Sequence, residues 1–144
     1  MSIQRLLDVL HPLVRDAASK ALGDLHSHGL SVYAFETLRS HERQKEMFET
    51  GKSKAKPGCG LHEYGLALDL AFKDALGWSW NGDWESVGRI MVSHGFEWAK
   101  YFKSFPELCH FQMMFGLTLD ELKKAKSDGK LSEVIYLANE RHKK

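Results

Sequence analysis

Apolar residues in the first third of the chain follow a helical pattern and then an extended one. From Ile3 to Leu25 they recur at steps of three and four residues, which predicts one face of a helix. Pro12 is expected to kink or divide this helix, and Gly29 ends the pattern. The β-branched and aromatic run over residues 30–35 then predicts a strand.

The next segment predicts a second helix followed by an irregular loop. Ser40 can accept an amide hydrogen bond at the start of a helix over residues 41–50, which Gly51 ends. Residues 52–60 are rich in lysine and glycine and contain a proline. This composition predicts a mobile flap or rim rather than a packed element.

Strict alternation over residues 66–72 predicts a strand with two different faces. One face carries four large apolar side chains and is expected to belong to the core. The other face carries Asp69 between Ala67 and Ala71. These small neighbours leave space above the carboxylate.

The second half of the chain consists of short elements separated by turn signals. An aromatic loop with a tight turn spans residues 78–84. Beyond it the pattern predicts a helix over 84–93, a short strand over 96–99, a strand over 108–115 and helices over 118–126 and 131–141. Thr118 and Glu121 form a capping box. A length of 144 residues suits one domain, residues 1–144.

Composition limits the classes of partner. A formal net charge of +1 with 43% hydrophobic residues is typical of an ordinary globular protein. This balance provides no bulk field that would hold the chain on nucleic acid or on an anionic membrane. No run approaches the roughly 20 apolar residues of a membrane span, and the N-terminus has no basic flank before an apolar core. We therefore expect no nucleic-acid partner, no stable membrane association and synthesis in the cytoplasm.

His62, Asp69 and His110 are candidate metal ligands. A catalytic zinc site typically takes three His, Asp or Glu ligands and leaves the fourth position to water. If residues 62–69 were one extended strand, the first two ligands would lie about 23 Å apart and point to opposite faces. Gly65 removes this obstacle, because it can adopt backbone angles closed to other residues and place His62 in a turn.

Glu107 and Arg39 are candidates for catalysis beside such a metal. Pro106 indicates that Glu107 still lies in a turn, from which its carboxylate can act as general base and return the proton to a leaving amine. Arg39, a fixed cation after the first strand, can bind an oxyanion or a substrate carboxylate. A simpler alternative pairs Arg39 with a surface acid such as Glu36, an interaction of little value.

Other interpretations of these residues remain open at this point. Asp69 can be explained as a charge that protects an edge strand from aggregation. The pair His62-Glu63 does not begin a zincin helix, because Leu66 stands where that motif has its second histidine.

The two cysteines offer two further alternatives. Cys59, His62, Cys109 and His110 have the ligand types of a structural zinc site, and Cys109 beside His110 has those of a nucleophilic pair. In both, adjacent residues on a strand would have to point to the same side, which strand geometry opposes. We expect free thiols that pack within the protein.

Residues 60–69 and 107–110 together resemble motifs of the VanY-like zinc peptidases of bacterial cell walls. That family includes D-alanyl-D-alanine carboxypeptidases and dipeptidases and L-alanyl-D-glutamate endopeptidases. Its patterns Ser-x-His-x-x-Gly-x-Ala-x-Asp and acidic-x-x-His are similar to the two segments, except that Gly60 stands where the family has serine. A further family pattern is similar to Arg39, Ser40, Gln44, Met47 and Phe48.

The resemblance implies an α+β domain in which a small antiparallel sheet packs against several helices, as in hedgehog and D-Ala-D-Ala peptidase domains. It also implies roles for individual residues. These are Zn²⁺ binding by His62, Asp69 and His110, general base catalysis by Glu107, substrate binding or transition-state stabilisation by Arg39, and substrate contacts by Gln44 and Trp80.

The loop over residues 78–84 is similar to that of short phage endolysins of the L-alanyl-D-glutamate type. This similarity implies a monomer that hydrolyses peptidoglycan stem peptides, is made in the host cytoplasm, leaves through a separate holin-type pore and acts in the periplasm. The alternatives are a D-alanyl-D-alanine carboxypeptidase or dipeptidase, and a non-catalytic zinc-containing module that binds the cell wall. Lys52, Lys54 and Lys56 are expected to form a solvated basic rim, so high salt is expected to change activity little.

Overall fold

The computed structural model describes residues 3–103 and 106–142. Within these ranges the chain forms five α-helices and five short strands. The helices are α1 Pro12–Ser27, α2 His41–Glu49, α3 Trp84–Ser93, α4 Leu119–Ser127 and α5 Leu131–His142. The strands are β1 Val32–Glu36, β2 Ala67–Asp74, β3 Gly77–Ser79, β4 Glu97–Trp98 and β5 His110–Gln112. The predicted α+β fold class is confirmed.

The five strands form one antiparallel sheet with β2 at its centre. Strand β1 pairs with one edge of β2, β5 pairs with the other edge, and β4 lies outside β5. Strand β3 folds back on the end of β2 as a hairpin, with Trp78 opposite Lys73. The longest strand is therefore held from both sides along its length.

One face of β2 belongs to the hydrophobic core. Leu68 and Leu70 are fully buried there, and Phe111 on β5 is buried beside them. Helix α1 contributes an apolar stripe formed by Val14, Ala18, Ala21 and Leu25. Burial stabilises the fold by about 1.5–3 kcal/mol for each large apolar side chain. The core therefore fixes the sheet through one face and leaves the other to polar groups.

A β-bulge in β1 changes the face of the sheet that Glu36 occupies. Val32 and Ala34 pair with core-facing residues of β2, so regular alternation would direct Glu36 toward the core. The register shifts between Ala34 and Glu36, and Glu36 lies opposite Asp69. Because directly opposed residues of an antiparallel pair share a face, the bulge brings Glu36 to the face that carries Asp69.

The predicted helix boundaries are supported by their caps. Pro12 divides the N-terminal pattern as expected, because a short 3-10 helix, Leu7–Val9, precedes it and α1 begins with it. The hydroxyl of Ser40 accepts a hydrogen bond at the start of α2. Thr118 and Glu121 form the predicted capping box at the start of α4.

Three local predictions are corrected by the structure. Part of the predicted aromatic loop is strand β3, since Gly77, with a φ of +114°, permits the tight turn of a hairpin. The turn that carries His62 is a 3-10 helix, Leu61–Tyr64. The strand predicted over residues 108–115 is shorter in the structure. Strand β5 covers His110–Gln112, because only these residues pair with β2 and β4. The extent of the domain, residues 1–144, stays a prediction.

Over the described ranges, no helix combines the length and the apolar character needed to cross a membrane.

Candidate metal centre

His62 lies on the 3-10 helix that precedes β2. This helix ends at Gly65, whose φ of +70° lies in the left-handed region. A Cβ atom at Gly65 would also lie 3.1 Å from the backbone nitrogen of His11. Both the backbone angle and the close approach favour glycine, which allows His62 to fold back toward β2 as the sequence predicts.

His62, Asp69 and His110 converge on the polar face of the sheet. Asp69 and His110 are direct partners on β2 and β5. Oδ1 of Asp69 lies 3.3 Å from Nε2 of His62 and 3.1 Å from Nδ1 of His110. One potential ligand atom from each residue lies within 4.8 Å of the others. The structure thus brings the three predicted ligands together, while their binding of a metal stays a prediction.

The hydrogen bonds behind the two imidazoles fit a bound cation. Nδ1 of His62 lies 2.8 Å from the carbonyl oxygen of Thr37 and must donate to it, so the lone pair of Nε2 faces Asp69. Nε2 of His110 lies 2.9 Å from Oε1 of Gln112, so the lone pair of Nδ1 also faces Asp69. Two such lone pairs repel a carboxylate unless a proton or a metal ion lies between them. Two imidazoles and one carboxylate are a donor set typical of catalytic zinc.

The electrostatics of the cluster agree with this assignment. Burial raises the pKa of Asp69, but the charge of His62 and the hydrogen bond from His110 outweigh it and lower the pKa overall. Burial lowers the pKa of His110, but Asp69 and Gln112 reverse the direction and raise it. The lowered pKa keeps Asp69 ionised, which is the state that a carboxylate needs in order to bind a metal.

Arg39 is buried beside the cluster and paired with a buried acid. Its Nη2 atom lies 2.8 Å from Oε1 of Glu36 and 3.7 Å from Oδ2 of Asp69. Glu36 also accepts a hydrogen bond of 3.1 Å from Nε of Arg43. Although burial raises the pKa of Glu36, the hydrogen bonds from the two arginines lower it overall. The interpretation as a weak surface pair is therefore wrong, because the pair is buried and costly to break.

One donor of Arg39 has no partner. Its Nε atom is buried and forms no hydrogen bond with any part of the chain that the structure describes. Buried donors are normally satisfied, so this one is an exception within a guanidinium group that otherwise binds Glu36 and Gln44. The predicted role of Arg39 with substrate stays a prediction, and its position is compatible with that role.

Glu107 lies in the turn before β5, as the sequence predicts. Its backbone nitrogen donates to the carbonyl oxygen of Ala99 at 3.1 Å, and its side chain lines the same cavity as the three candidate ligands. Burial and the charge of Asp69 raise the pKa of Glu107, against the opposing charges of His110 and Arg39. A raised pKa brings a carboxylate closer to the range of an efficient proton acceptor.

The cavity has a volume of about 540 Å³ and two contrasting sides. We define the metal wall as His62, Asp69, Glu107 and His110, and the lysine loop as residues 52–60. Arg39 lines the cavity as well. A volume of this size is typical of a small-molecule or peptide site.

Gln44 connects Arg39 to the lysine loop. It is fully buried, its Oε1 accepts a hydrogen bond of 3.0 Å from Nη1 of Arg39, and its Nε2 donates to Oγ of Ser53 and the carbonyl oxygen of Ala55. A Cβ atom at Gly60 would lie 2.9 Å from Oε1 of Gln44, so the glycine leaves room for this amide. Because protein groups already engage the amide, a substrate contact by Gln44 stays a prediction.

Glu63 and Tyr64 hold the other end of the lysine loop. A carboxylate oxygen of Glu63 accepts a hydrogen bond of 2.6 Å from the backbone nitrogen of Gly58. The hydroxyl of Tyr64 donates to the carbonyl oxygen of the same glycine at 2.6 Å. Residues 52–60, predicted as an unpacked flap or rim, are thus anchored as one side of the cavity.

Trp80 lies outside the cavity. Its side chain is half-exposed and packs edge-on against Phe35, with the ring centroids 4.8 Å apart. Its carbonyl oxygen accepts a hydrogen bond from the indole of Trp84. The structure does not bring Trp80 together with the metal wall, and its substrate contact stays a prediction.

The two cysteines do not take part in the cluster. Both are free thiols, and among the described residues the converging ligand atoms come from two histidines and an aspartate. Burial and the charge of Asp69 raise the pKa of Cys109 far above its ordinary value, which makes it a poor nucleophile. Cys109 packs against the core as expected, whereas Cys59 lines the cavity.

Two residues orient the histidines through hydrogen bonds, and only one of them could be identified from the sequence pattern. Gln112 alternates with His110 on the same face of β5, so its position was available from the strand pattern. Thr37 acts through its backbone carbonyl, which no side-chain pattern can indicate.

The sequence is similar to known peptidoglycan peptidases. A model of the M15 peptidases described as D-alanyl-D-alanine carboxypeptidase matches residues 54–113. The chain is 32% identical over 123 residues to the peptidoglycan L-alanyl-D-glutamate endopeptidase CwlK of Bacillus subtilis (strain 168), covering 73% of this chain and 74% of that protein. It is 29% identical over 122 residues to the L-alanyl-D-glutamate peptidase of Listeria phage A118, covering 81% of this chain and 43% of the phage protein.

The fold is also similar to a solved structure. The crystal structure of the Serratia marcescens L-Ala D-Glu endopeptidase ChiX matches with a TM-score of 0.57 and 26% sequence identity, over 76% of this chain and 84% of that one. The segment matched by the family model contains the whole metal wall. By identity and coverage, the chain belongs to the D-alanyl-D-alanine carboxypeptidase family of M15 peptidases, which are metal-dependent hydrolases.

Proposed function

We propose that this peptidase binds Zn²⁺ and hydrolyses the L-alanyl-D-glutamate bond of peptidoglycan stem peptides. The observation that carries the chemistry is the convergence of His62, Asp69 and His110 in a cavity that Glu107 also lines. The choice of bond is supported by the similarity to CwlK and ChiX, whose names specify that activity.

The residues of the cavity have separate tasks in this hydrolysis. When bound, Zn²⁺ supplies Lewis acidity and lowers the pKa of a coordinated water to about 7. Glu107 accepts a proton from the attacking water and delivers it to the amine as the C–N bond breaks, so that a carboxylate and an amine are formed. Arg39, which lines the same cavity, stabilises with its positive charge the negative charge that develops on the carbonyl oxygen.

Two further residues keep the metal ligands in the productive tautomer. The carbonyl of Thr37 and the side chain of Gln112 hold the distal nitrogens of His62 and His110 as donors. Such outer contacts fix the direction of the ligand lone pairs and are part of the function of a metal site.

We further propose that the protein acts as a phage endolysin during host-cell lysis. The similarity to the peptidase of Listeria phage A118 supports this role. In this account a monomer is made in the host cytoplasm, passes a separate holin-type pore and acts on the wall in the periplasm. Fractionation during lysis, with and without the pore protein, tests the route.

Product analysis tests the proposed bond. Purified peptidoglycan is digested with the zinc-loaded protein, and the fragments are analysed by mass spectrometry. The proposal predicts new N-terminal D-glutamate and chains that end in L-alanine. Release of D-alanine or its dipeptide would instead establish the D-alanyl-D-alanine carboxypeptidase or dipeptidase activity, which the description of the family model favours as the second candidate. Zinc binding without any cleavage would favour a wall-binding module.

A further inference from the structure

The cavity that contains the metal wall is also lined by three cations whose charge is not balanced. Lys52, Lys54 and Lys56, the loop lysines, all line the cavity and are exposed. Within residues 3–103 and 106–142, none of them forms an ion pair or a side-chain hydrogen bond. Exposed lysines usually reflect solubility alone, but here three of them border one cavity.

The lysine loop presents these cations from an anchored backbone. Ser53 and Ala55, which alternate with the lysines, are held by the amide of Gln44. The amide nitrogen of Ala55 also donates to Oγ of Ser53 at 3.2 Å. The loop is therefore attached to Gln44 at the two positions that separate the lysines.

The acids around the cavity do not neutralise the loop lysines. Asp69 is engaged by His62, His110 and Arg39 on the metal wall. In the described part of the chain, Glu107, which also lines the cavity, forms no ion pair with the loop lysines, and Glu63 directs its carboxylate to Gly58 and His41. The loop lysines thus give part of the cavity lining an unbalanced positive charge, in the same cavity as the metal wall.

The substrate that the proposed function requires carries the complementary charge. A glutamate that is joined to the next residue through one carboxyl group keeps the other as a free carboxylate. In an L-alanyl-D-glutamate substrate this residue supplies the leaving amine, so the carboxylate lies within a few bonds of the reacting carbon. A flexible lysine reaches such an anion as a point charge.

We infer that the loop lysines form the subsite for the free carboxylate of the D-glutamate residue, and so select acidic over amidated stem peptides. This inference rests on the proposed function and names the part of the substrate that its cavity recognises. It replaces the expectation that the lysines are a solvated rim without influence on activity. Binding at this subsite weakens as salt rises, because the lysines are exposed and salt screens exposed charges.

A pair of synthetic substrates tests the subsite. The two peptides contain the same L-alanyl-D-glutamate bond, and the free carboxyl of the glutamate is either ionised or converted to its amide. The zinc-loaded wild-type protein is compared with a variant in which all three loop lysines are replaced by glutamine. We expect KM for the acidic peptide to rise about tenfold in the variant, with kcat little changed, and KM for the amidated peptide to change by less than about twofold.

A matched control separates the subsite from net charge. Lys20, Lys123 and Lys130 are exposed and lie outside the lining of the cavity. Their triple replacement by glutamine removes the same formal charge, and KM for the acidic peptide should stay at the wild-type value. Equal losses with both peptides, or with both triple variants, would overturn the inference, as would an unchanged KM in the loop variant.

Binding without turnover distinguishes this inference from the proposed function. Affinity for the two peptides is measured calorimetrically in zinc-loaded Glu107→Gln protein, with and without the loop substitutions. If the wild-type protein does not cut the peptides but the loop lysines still confer preference for the acidic one, only the proposed bond is wrong. If the wild-type protein cuts the peptides but neither assay shows a preference for the acidic one, the proposed bond stands and the proposed lysine subsite is wrong.

Discussion

The two sides of the cavity are fixed to the molecule by different means. On the metal wall, Asp69 and His110 lie on paired strands of a sheet whose other face is the core. The lysine loop has no strand or helix and is attached through side chains, chiefly those of Gln44, Glu63 and Tyr64. The comparison suggests a division in which the sheet fixes the reacting groups and a separately anchored loop adjusts recognition. Segments held by few contacts open at lower free energy than the core.

The largest expected effect comes from the base on the metal wall. Glu107→Gln preserves size but removes the proton acceptor, so we expect kcat to fall by about 10²–10⁴-fold. Zinc content and thermal stability should match those of the wild-type protein, because Glu107 is not one of the converging ligands. Kinetics and metal analysis on the same preparation check both points. Full hydrolysis by the variant would show that another group accepts the proton.

A second test concerns the buried acid behind the metal wall. Glu36→Gln leaves Arg39 and Arg43 without their shared anion, and we expect the free energy of unfolding at pH 7 to fall by about 3 kcal/mol. Glu46→Gln is the control, because Glu46 is a more exposed partner of Arg43 and should contribute less than about 1 kcal/mol. Urea denaturation measures both. Equal effects of the two substitutions would contradict the buried network.

The contribution of Glu36 to the free energy of unfolding depends on pH. The pKa of Glu36 in the folded protein is lowered from its ordinary value of 4.5. Its contribution to stability is therefore present above that value and is lost as pH falls through the folded pKa. The difference in unfolding free energy between wild type and Glu36→Gln should narrow below about pH 4.5. If the difference in unfolding free energy instead widened below that pH, the lowered pKa of Glu36 would be contradicted.

The smallest expected effect concerns the anchor of the lysine loop. Tyr64→Phe removes the hydrogen bond to Gly58, a loss of about 1 kcal/mol. We expect faster amide exchange in residues 51–60 and a higher KM, while zinc affinity and exchange in β2 stay unchanged. Tyr136→Phe, at a partly exposed position on α5, serves as the control. Loosening of both sides of the cavity would contradict their separate attachment.

Sequence patterns predicted the metal wall better than the contacts that support it. Alternation identified the face of β2 that carries Asp69, and Gly65 indicated the turn of His62, because both depend on local backbone geometry. The pairing of Glu36 with Arg39 was considered, but its burial could not be predicted, because it depends on a bulge that moves Glu36 to the other face of the sheet. Glu63 was also missed, since its partners include the backbone nitrogen of a loop, which leaves no pattern in the sequence.

Metal reconstitution tests the central claim most directly. The protein is stripped with a chelator, Zn²⁺ is added back in steps, and bound zinc and peptidoglycan cleavage are measured at each step. The account predicts that cleavage is absent at the start and rises to a plateau at about one zinc per chain, the stoichiometry of a three-ligand site. It also predicts that an Asp69→Ala variant neither retains zinc nor regains cleavage under the same conditions. Full cleavage by the stripped protein, or by the variant, would contradict it.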